Sequence, residues 1–182
     1  MRPRIGAAFF DDLYARDADP WDFETSRYEA AKYEQTIAAL EGRRFSTALE
    51  VGCSIAVLTE RLAERCDDLL AIDVVETALA RARERVPHVR FERREIPEQY
   101  PPGTFDLTVC SEVLYYLDAA ALDATLDRIA GTLLAVHWRH PTERYPFTGD
   151  EVHERLAQRF GAPAYSRWTS DYALDRFDEC GS

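Results

Sequence analysis

With 182 residues, 46% hydrophobic and 30% charged, and only 8 Gly and 9 Pro, the chain has the composition of one folded domain and of neither a disordered nor a fibrous protein. The 22 Lys and Arg against 33 Asp and Glu give a formal charge of -11, which repels phosphate backbones and anionic lipid and argues against nucleic acid as a partner. Cys53, Cys66, Cys110 and Cys180 form no CxxC pair and no Cys/His ligand spacing, so a metal site is not expected, and Cys53 and Cys110 read as small buried residues. Met1–Arg4 and the short apolar patch to Phe10 lack the pattern of a secretory leader, and no stretch of 18 apolar residues occurs. A reduced, cytoplasmic protein is expected.

In chain order, an aromatic and charged segment runs from Phe9, with an Asp-rich break at 17–22 and a helix expected over Tyr28–Leu40. Short apolar runs at Thr47–Cys53, Leu69–Asp73, Val89–Ile96, Phe105–Cys110 and Leu133–Trp138 read as strands. Helices are expected between them over Val57–Cys66, Glu76–Val86 and Ala119–Ala130, where apolar residues recur at helical spacing. A further helix over Gly149–Phe160 precedes two segments, Tyr165–Trp168 and Tyr172–Phe177, that read as a closing hairpin. Strands separated by helices mean parallel crossovers. The expected fold class is α/β: a single doubly wound, mostly parallel sheet with helices on both faces and a C-terminal antiparallel hairpin. Residues 1–45 are expected to form a helical cap and residues 46–182 one compact unit.

Open sheets of this kind bind ligands beyond the carboxyl ends of their strands, so the strand ends hold the candidate residues. After strand one, Gly52 lets the backbone turn and approach a ligand, or it simply closes a tight turn. Asp73 ends strand two, where a carboxylate suits a ribose diol or caps the following helix. Glu95 and Ile96 end strand three, and could hold an exocyclic amine and a ring face; a solvated loop carboxylate is the other reading of Glu95. Strand four ends in Ser111-Glu112-Val113-Leu114-Tyr115-Tyr116, with Leu114 and Leu117 expected in the core. His137 and Arg139 share one face of strand five, with His137 either catalytic or hydrogen-bonded in a structural role. His153, in a charged helix, reads as a surface residue.

The strings LEVGCSIAVLTERLA, LLAIDVVETALARARER, VRFERREIP and FDLTVCSEVLYYLD, with WDFETSRYE ahead of them, resemble the successive motifs of class I S-adenosylmethionine-dependent methyltransferases. Within that superfamily they are similar to the nodulation protein S (NodS) group, and a Rossmann-like class I methyltransferase fold is what the resemblance implies. It further implies that Glu50, Gly52, Cys53 and Ser54 line the methionine portion of S-adenosylmethionine and that Asp73, with Val74 beside it, binds the ribose. Glu95 and Ile96 would hold adenine, and Ser111, Glu112 and Val113 would cover the sulfonium side. The implied product is S-adenosylhomocysteine, and the implied acceptor is the amine of a deacetylated chitooligosaccharide or a similar amino sugar. Ser54 and Ala56 stand where the family usually has further glycines. The join at Ile129–Leu133 is also shorter than in relatives.

An amine must lose its proton before attack, and Glu112, Tyr116 and His137 are the candidate catalytic residues. Trp21, Tyr28, Tyr115 and Arg139 are the candidate substrate contacts. The N-terminal aromatics either pack the first helices or form a lid; on the lid reading, removing residues 1–27 spares donor binding and abolishes turnover. A non-catalytic nucleoside binder and an O-methyltransferase of a small metabolite are the alternative functions.

Overall fold

The structure, a computed structural model, describes residues 2–140 and 142–181; Met1, Pro141 and Ser182 of the expected 1–45 and 46–182 division lie outside them. The chain forms two compact units. Gly6–Glu95 is the first, so the two N-terminal helices share a unit with the first three strands. The second joins the residues up to Ile5 with Ile96 onward.

The first unit contains α1 (Ala7–Arg16), α2 (Arg27–Ala38), β1 (Phe45–Val51), α3 (Val57–Ala63), β2 (Cys66–Asp73), α4 (Glu76–Arg85) and β3 (Arg90–Arg93). Ser26 caps α2 by accepting from the Glu29 amide, which satisfies one of the otherwise open donors of the first turn. β1 and β2 pair in parallel from Phe45↔Cys66 to Val51↔Ile72, and β2 pairs with β3 from Leu70↔Arg90 to Asp73↔Arg93. α3 stops at Ala63, short of the expected Cys66, because Cys66 already pairs with Phe45 and the Arg65 carbonyl accepts from the Phe45 amide. Leu79, Ala82 and Val86 pack on Ala71 and Phe91. That apolar stripe recurs every three or four residues and fixes the inward face of α4.

The second unit contains β4 (Leu107–Ser111), a 3-10 turn (Leu114–Tyr116), α5 (Ala119–Leu126), β5 (Gly131–Trp138), α6 (Gly149–Phe160), β6 (Tyr165–Trp168) and β7 (Tyr172–Cys180). β4 and β5 are parallel, whereas β7 runs antiparallel to β5 and to β6. Thr148 and Glu151 form a reciprocal capping box at the start of α6. α5 ends at Leu126, short of the expected Ala130, and β5 begins at Gly131 with φ +69°, ahead of the expected Leu133, so four residues join them. Leu114 and Leu117 are buried as expected, and all four cysteines are free and buried. The strands lie in one seven-stranded sheet in the order β3-β2-β1-β4-β5-β7-β6. No described helix is long and apolar enough to cross a membrane.

Candidate active site

The turn after β1 is pinned to β2. The amides of Gly52 and Cys53 both donate to the Ile72 carbonyl, at 2.8 and 3.0 Å. Gly52, Ser54 and Ala56 all take left-handed backbone, with φ of +76°, +52° and +66°. Ser54 and Ala56 therefore keep the conformation that glycine would adopt without a Cβ penalty, at roughly 1 kcal/mol or more each for an L side chain. The Asp73 carboxylate closes this turn: Oδ2 accepts from the Ser54 amide at 2.8 Å and Oδ1 from the Val75 amide at 3.0 Å. Burial pushes its pKa up, against the pull of the Ser54, Val75 and Val74 amides. An ionised carboxylate has about four lone-pair sites, so two amide bonds leave capacity for a diol.

Glu50, near the end of β1, is 2% exposed, and its Oε2 makes no hydrogen bond. Burial raises its pKa to about 7; Thr59 draws it down, although the threonine hydroxyl is outside hydrogen-bond geometry, and Asp73 pushes it up. A buried carboxyl oxygen without a partner costs free energy unless one arrives. That orphaned oxygen, beside a carboxylate with spare acceptor sites, fits a donor that carries an ammonium and a ribose.

The N-terminal segment packs on the same turn. Tyr14 Oη is hydrogen-bonded to Ser54 Oγ, and burial, followed by the charge of Asp73, raises the Tyr14 pKa. Tyr14 joins Ile55, Val75 and Ala78 in a buried cluster against which Phe10, Trp21 and Phe23 pack. Trp21 sits edge-on to Tyr14 at 5.8 Å and stacks on Phe23 at 5.6 Å. Glu24 pairs with both Arg81 and Arg85 on α4, and Arg85 Nε donates to the Ile55 carbonyl at 2.9 Å. Tyr28 is exposed beneath the Lys32 ammonium, 5.2 Å from its ring centre. Glu95 is partly buried beyond β3, and a Cβ on Gly6 would lie 3.7 Å from its Oε1.

In the second unit, Glu112 follows β4 with φ +57°, and its amide donates to the Val136 carbonyl at 2.8 Å. Glu112 Oε2 accepts from the Tyr115 hydroxyl at 2.6 Å and from the Trp138 amide at 2.9 Å. Tyr115 stacks on Tyr145 at 5.1 Å, and Tyr116 meets both rings edge-on. Burial raises both tyrosine pKa values; Glu112 adds to the rise at Tyr115, and Tyr145 at Tyr116. Both remain phenols at neutral pH. Ser111 and Val113 flank this group partly exposed, and Ile96 is buried.

His137 is fully buried, with Nε2 accepting from the Leu114 amide at 3.2 Å and Nδ1 3.1 Å from His153 Nε2. His153, expected at the surface, is 1% exposed and 2.6 Å from Asp175 Oδ2. Its charged neighbours in sequence point outward, while Val152, His153 and Leu156 form the buried stripe of α6. Arg139 pairs with both carboxylate oxygens of Asp150, at 2.6 and 2.9 Å, donates to the Thr169 carbonyl and lies over the Trp168 ring. The loop after β5 borders a cavity of about 500 Å³ that includes Phe147, Thr148 and Glu151, and none of the expected site residues lines it. Among the described residues no cluster of His, Cys, Asp or Glu is placed to hold a metal.

The strand order, a left-handed glycine after β1 and an acidic residue ending β2 define the class I methyltransferase fold. The crystal structure of the N-methyltransferase NodS from Bradyrhizobium japonicum WM9, in complex with S-adenosylhomocysteine, superposes with a TM-score of 0.82 at 27% identity, over 95% of this chain and 97% of that one. Residues 9–164 match the model of the nodulation protein S (NodS) family, and the chain belongs to that family. It is 35% identical to nodulation protein S of Sinorhizobium fredii over 120 residues, which is 63% of this chain and 56% of that protein. With the Bradyrhizobium diazoefficiens protein it shares 33% over 153 residues, 80% of this chain and 68% of that one. The chain thus spans between about half and two thirds of these two curated relatives.

Proposed function

We propose that this chain is an S-adenosylmethionine-dependent methyltransferase that methylates the free amine of a deacetylated chitooligosaccharide or a related amino sugar. The observation that carries the reading is the Asp73 carboxylate, held by the Ser54 and Val75 amides at the end of β2 with acceptor capacity to spare. The B. japonicum relative was crystallised with S-adenosylhomocysteine, which supports the same ligand here. When bound, the donor supplies a methyl already activated by a sulfonium, so the protein's task is placement and proton management.

In this reading Asp73 accepts from the two ribose hydroxyls, and Glu50 becomes ionised opposite the methionine ammonium. Gly52, Cys53 and Ser54 present backbone to the donor, with Val74 and Glu95 nearby; the family resemblance assigns Ile96 and Ser111 to Val113 to it as well. On the acceptor side, Glu112 is the proposed proton acceptor, its carboxylate fixed by Tyr115 and Trp138. Tyr116 stays protonated and serves as a donor. The charge of -11 favours a cationic amine over an anionic acceptor. Trp21 and Tyr28 are assigned to sugar contact. The Asp150 pairing of Arg139 gives it a supporting role at the rim.

Calorimetry with S-adenosylhomocysteine, and with NAD as a control, tests the donor site: binding of the first alone is expected, and tight binding of NAD alone overturns the reading. A labelled methyl donor with a deacetylated chitooligosaccharide then tests the acceptor. Label at nitrogen is the expected outcome, whereas label at oxygen or no transfer rejects the amine.

A further inference from the structure

His137 on β5, His153 on α6 and Asp175 on β7 form a buried chain in the second unit, 0%, 1% and 3% exposed. Hydrogen-bond accounting fixes where their protons sit. The Leu114 amide can only donate, so His137 Nε2 must offer a lone pair. A neutral His137 then carries its proton on Nδ1, aimed at His153 Nε2, which must accept. His153 therefore carries its own proton on Nδ1 and donates to Asp175 Oδ2. The Trp168 indole N–H completes the chain, 3.2 and 3.3 Å from the two oxygens of Asp175.

This one assignment satisfies every member. A second proton on His137 would set N–H against the Leu114 N–H; a second proton on His153 would set N–H against His137 Nδ1–H. Either leaves buried donors facing each other unpaired, which a buried site does not tolerate without cost. Burial alone would push the Asp175 carboxyl up, but bonds from His153, Ser166 and Trp168 outweigh it and hold it below the usual range. The chain thus ends in an anion at Asp175 and a lone pair at His137.

That lone pair faces the start of the turn that holds Glu112. Leu114 opens the 3-10 turn, Tyr115 within it donates to Glu112 Oε2, and the Tyr115 ring lies edge-on to His137 at 5.2 Å. The residue after His137, Trp138, donates its amide to the same Glu112 oxygen. Glu112 is itself in left-handed backbone, a conformation that persists only where its surroundings determine it.

We infer that His153 and Asp175 are positioning residues: through His137 they lock the Leu114 amide, the turn and hence the Glu112 carboxylate. The role for Glu112 rests on the methyltransferase reading; the tautomer chain does not. His137 accordingly serves as a fixed acceptor and not as the base that takes the acceptor's proton.

The first test uses the unmodified protein near neutral pH. Long-range ¹⁵N–¹H correlation of the four histidines should show His137 and His153 both as neutral Nδ1–H tautomers, with the exposed His88 and His140 as references. An Nε2–H or imidazolium pattern at either buried ring overturns the chain. The second test compares Asp175→Ala with Asp175→Asn, whose amide oxygen can still accept from His153 Nδ1–H. In the alanine variant, exchange of the Leu114 amide should accelerate about tenfold or more, and the asparagine variant should restore its protection. Turnover should fall about tenfold in the alanine variant, with KM for the methyl donor unchanged, and recover in the asparagine variant. Unchanged Leu114 exchange in the alanine variant, or no rescue by asparagine, overturns the positioning role. Should wild-type protein neither bind S-adenosylhomocysteine nor transfer methyl, the functional reading fails, while the tautomers and Leu114 exchange still decide the chain.

Discussion

The Ser54 backbone N–H donates to Asp73 Oδ2 over 2.8 Å, so the carboxylate proposed to grip the donor's ribose also holds the turn beneath it. Asp73→Ala removes the acceptor of two amides and leaves them to be satisfied by water. Asp73→Asn keeps one acceptor oxygen but loses the charge and half of the diol-binding capacity. The alanine variant is expected to lose about 1–3 kcal/mol of stability in urea denaturation, and the asparagine variant less. Both are expected to weaken S-adenosylhomocysteine binding by about tenfold or more in calorimetry. Wild-type affinity in either variant would remove Asp73 from the donor site.

Glu50 makes stability pH-dependent. Its carboxyl is raised from 4.5 to about 7, first by burial, with Thr59 opposing and Asp73 adding. Between those values the folded protein binds the proton that the unfolded chain releases. Stability from this group is therefore fully present below pH 4.5 and is lost as pH rises through about 7. At ~1.36 kcal/mol per pKa unit the loss amounts to about 3 kcal/mol. Glu50→Gln should flatten that part of the curve and raise Tm over the wild type more at about pH 8 than at about pH 5, as melting at the two pH values would show. Parallel profiles for the variant and the wild type would mean that Glu50 titrates in the folded protein as it does in the unfolded chain.

Where the signal was local, the sequence carried it. Alternating strands and helices, the Gly52 turn and the acid ending β2 follow from runs of a few residues, and their positions agree with the structure to within a few positions. At Ser54 and Ala56 the residue types departed from glycine while the backbone did not; the turn's shape is imposed by its anchors on Ile72 and Asp73. α1 carries no start signal in the sequence, because Gly6 supplies no side-chain cap and no acid occupies the first turn. Its signal was the pair Phe10 and Tyr14, one helical turn apart. His153 reads as a surface residue from sequence because Asp175 and His137, its partners, lie 22 and 16 residues away. The stripe of Gly149, Val152, His153 and Leu156 would have placed it inside.

The packing of the N-terminal segment reverses the expectation from a detachable lid. Tyr14 bonds to Ser54, and Phe10, Trp21 and Phe23 cover Ile55, Val75 and Ala78. Deleting residues 1–27 would expose that cluster and release the Ser54 turn. Donor binding should therefore fall together with turnover, and the truncated protein should melt earlier. Tyr14→Phe is the gentler probe: it keeps the ring in the cluster and removes one hydrogen bond, for about 1 kcal/mol of stability. A truncated protein that binds S-adenosylhomocysteine like the full chain would restore the lid.

The short join before β5 closes because residue 131 has no side chain. Gly131 has φ +69°, and a Cβ there would lie 2.7 Å from the Phe105 carbonyl oxygen and 2.8 Å from that of Asp106. Neither carbonyl is the end of a flexible side chain, and the Asp106 carbonyl already accepts from the Thr132 amide at 2.9 Å. Gly131→Ala therefore combines left-handed strain with a backbone clash at the start of a central strand. Gly161, which ends α6 at φ +85°, has nothing within 4 Å of its Cβ position, so Gly161→Ala carries the strain alone. Urea denaturation should give a loss of about 1 kcal/mol for Gly161→Ala and at least about 2 kcal/mol more for Gly131→Ala. Equal losses would show that the carbonyls move aside freely and that the join does not depend on glycine for its length.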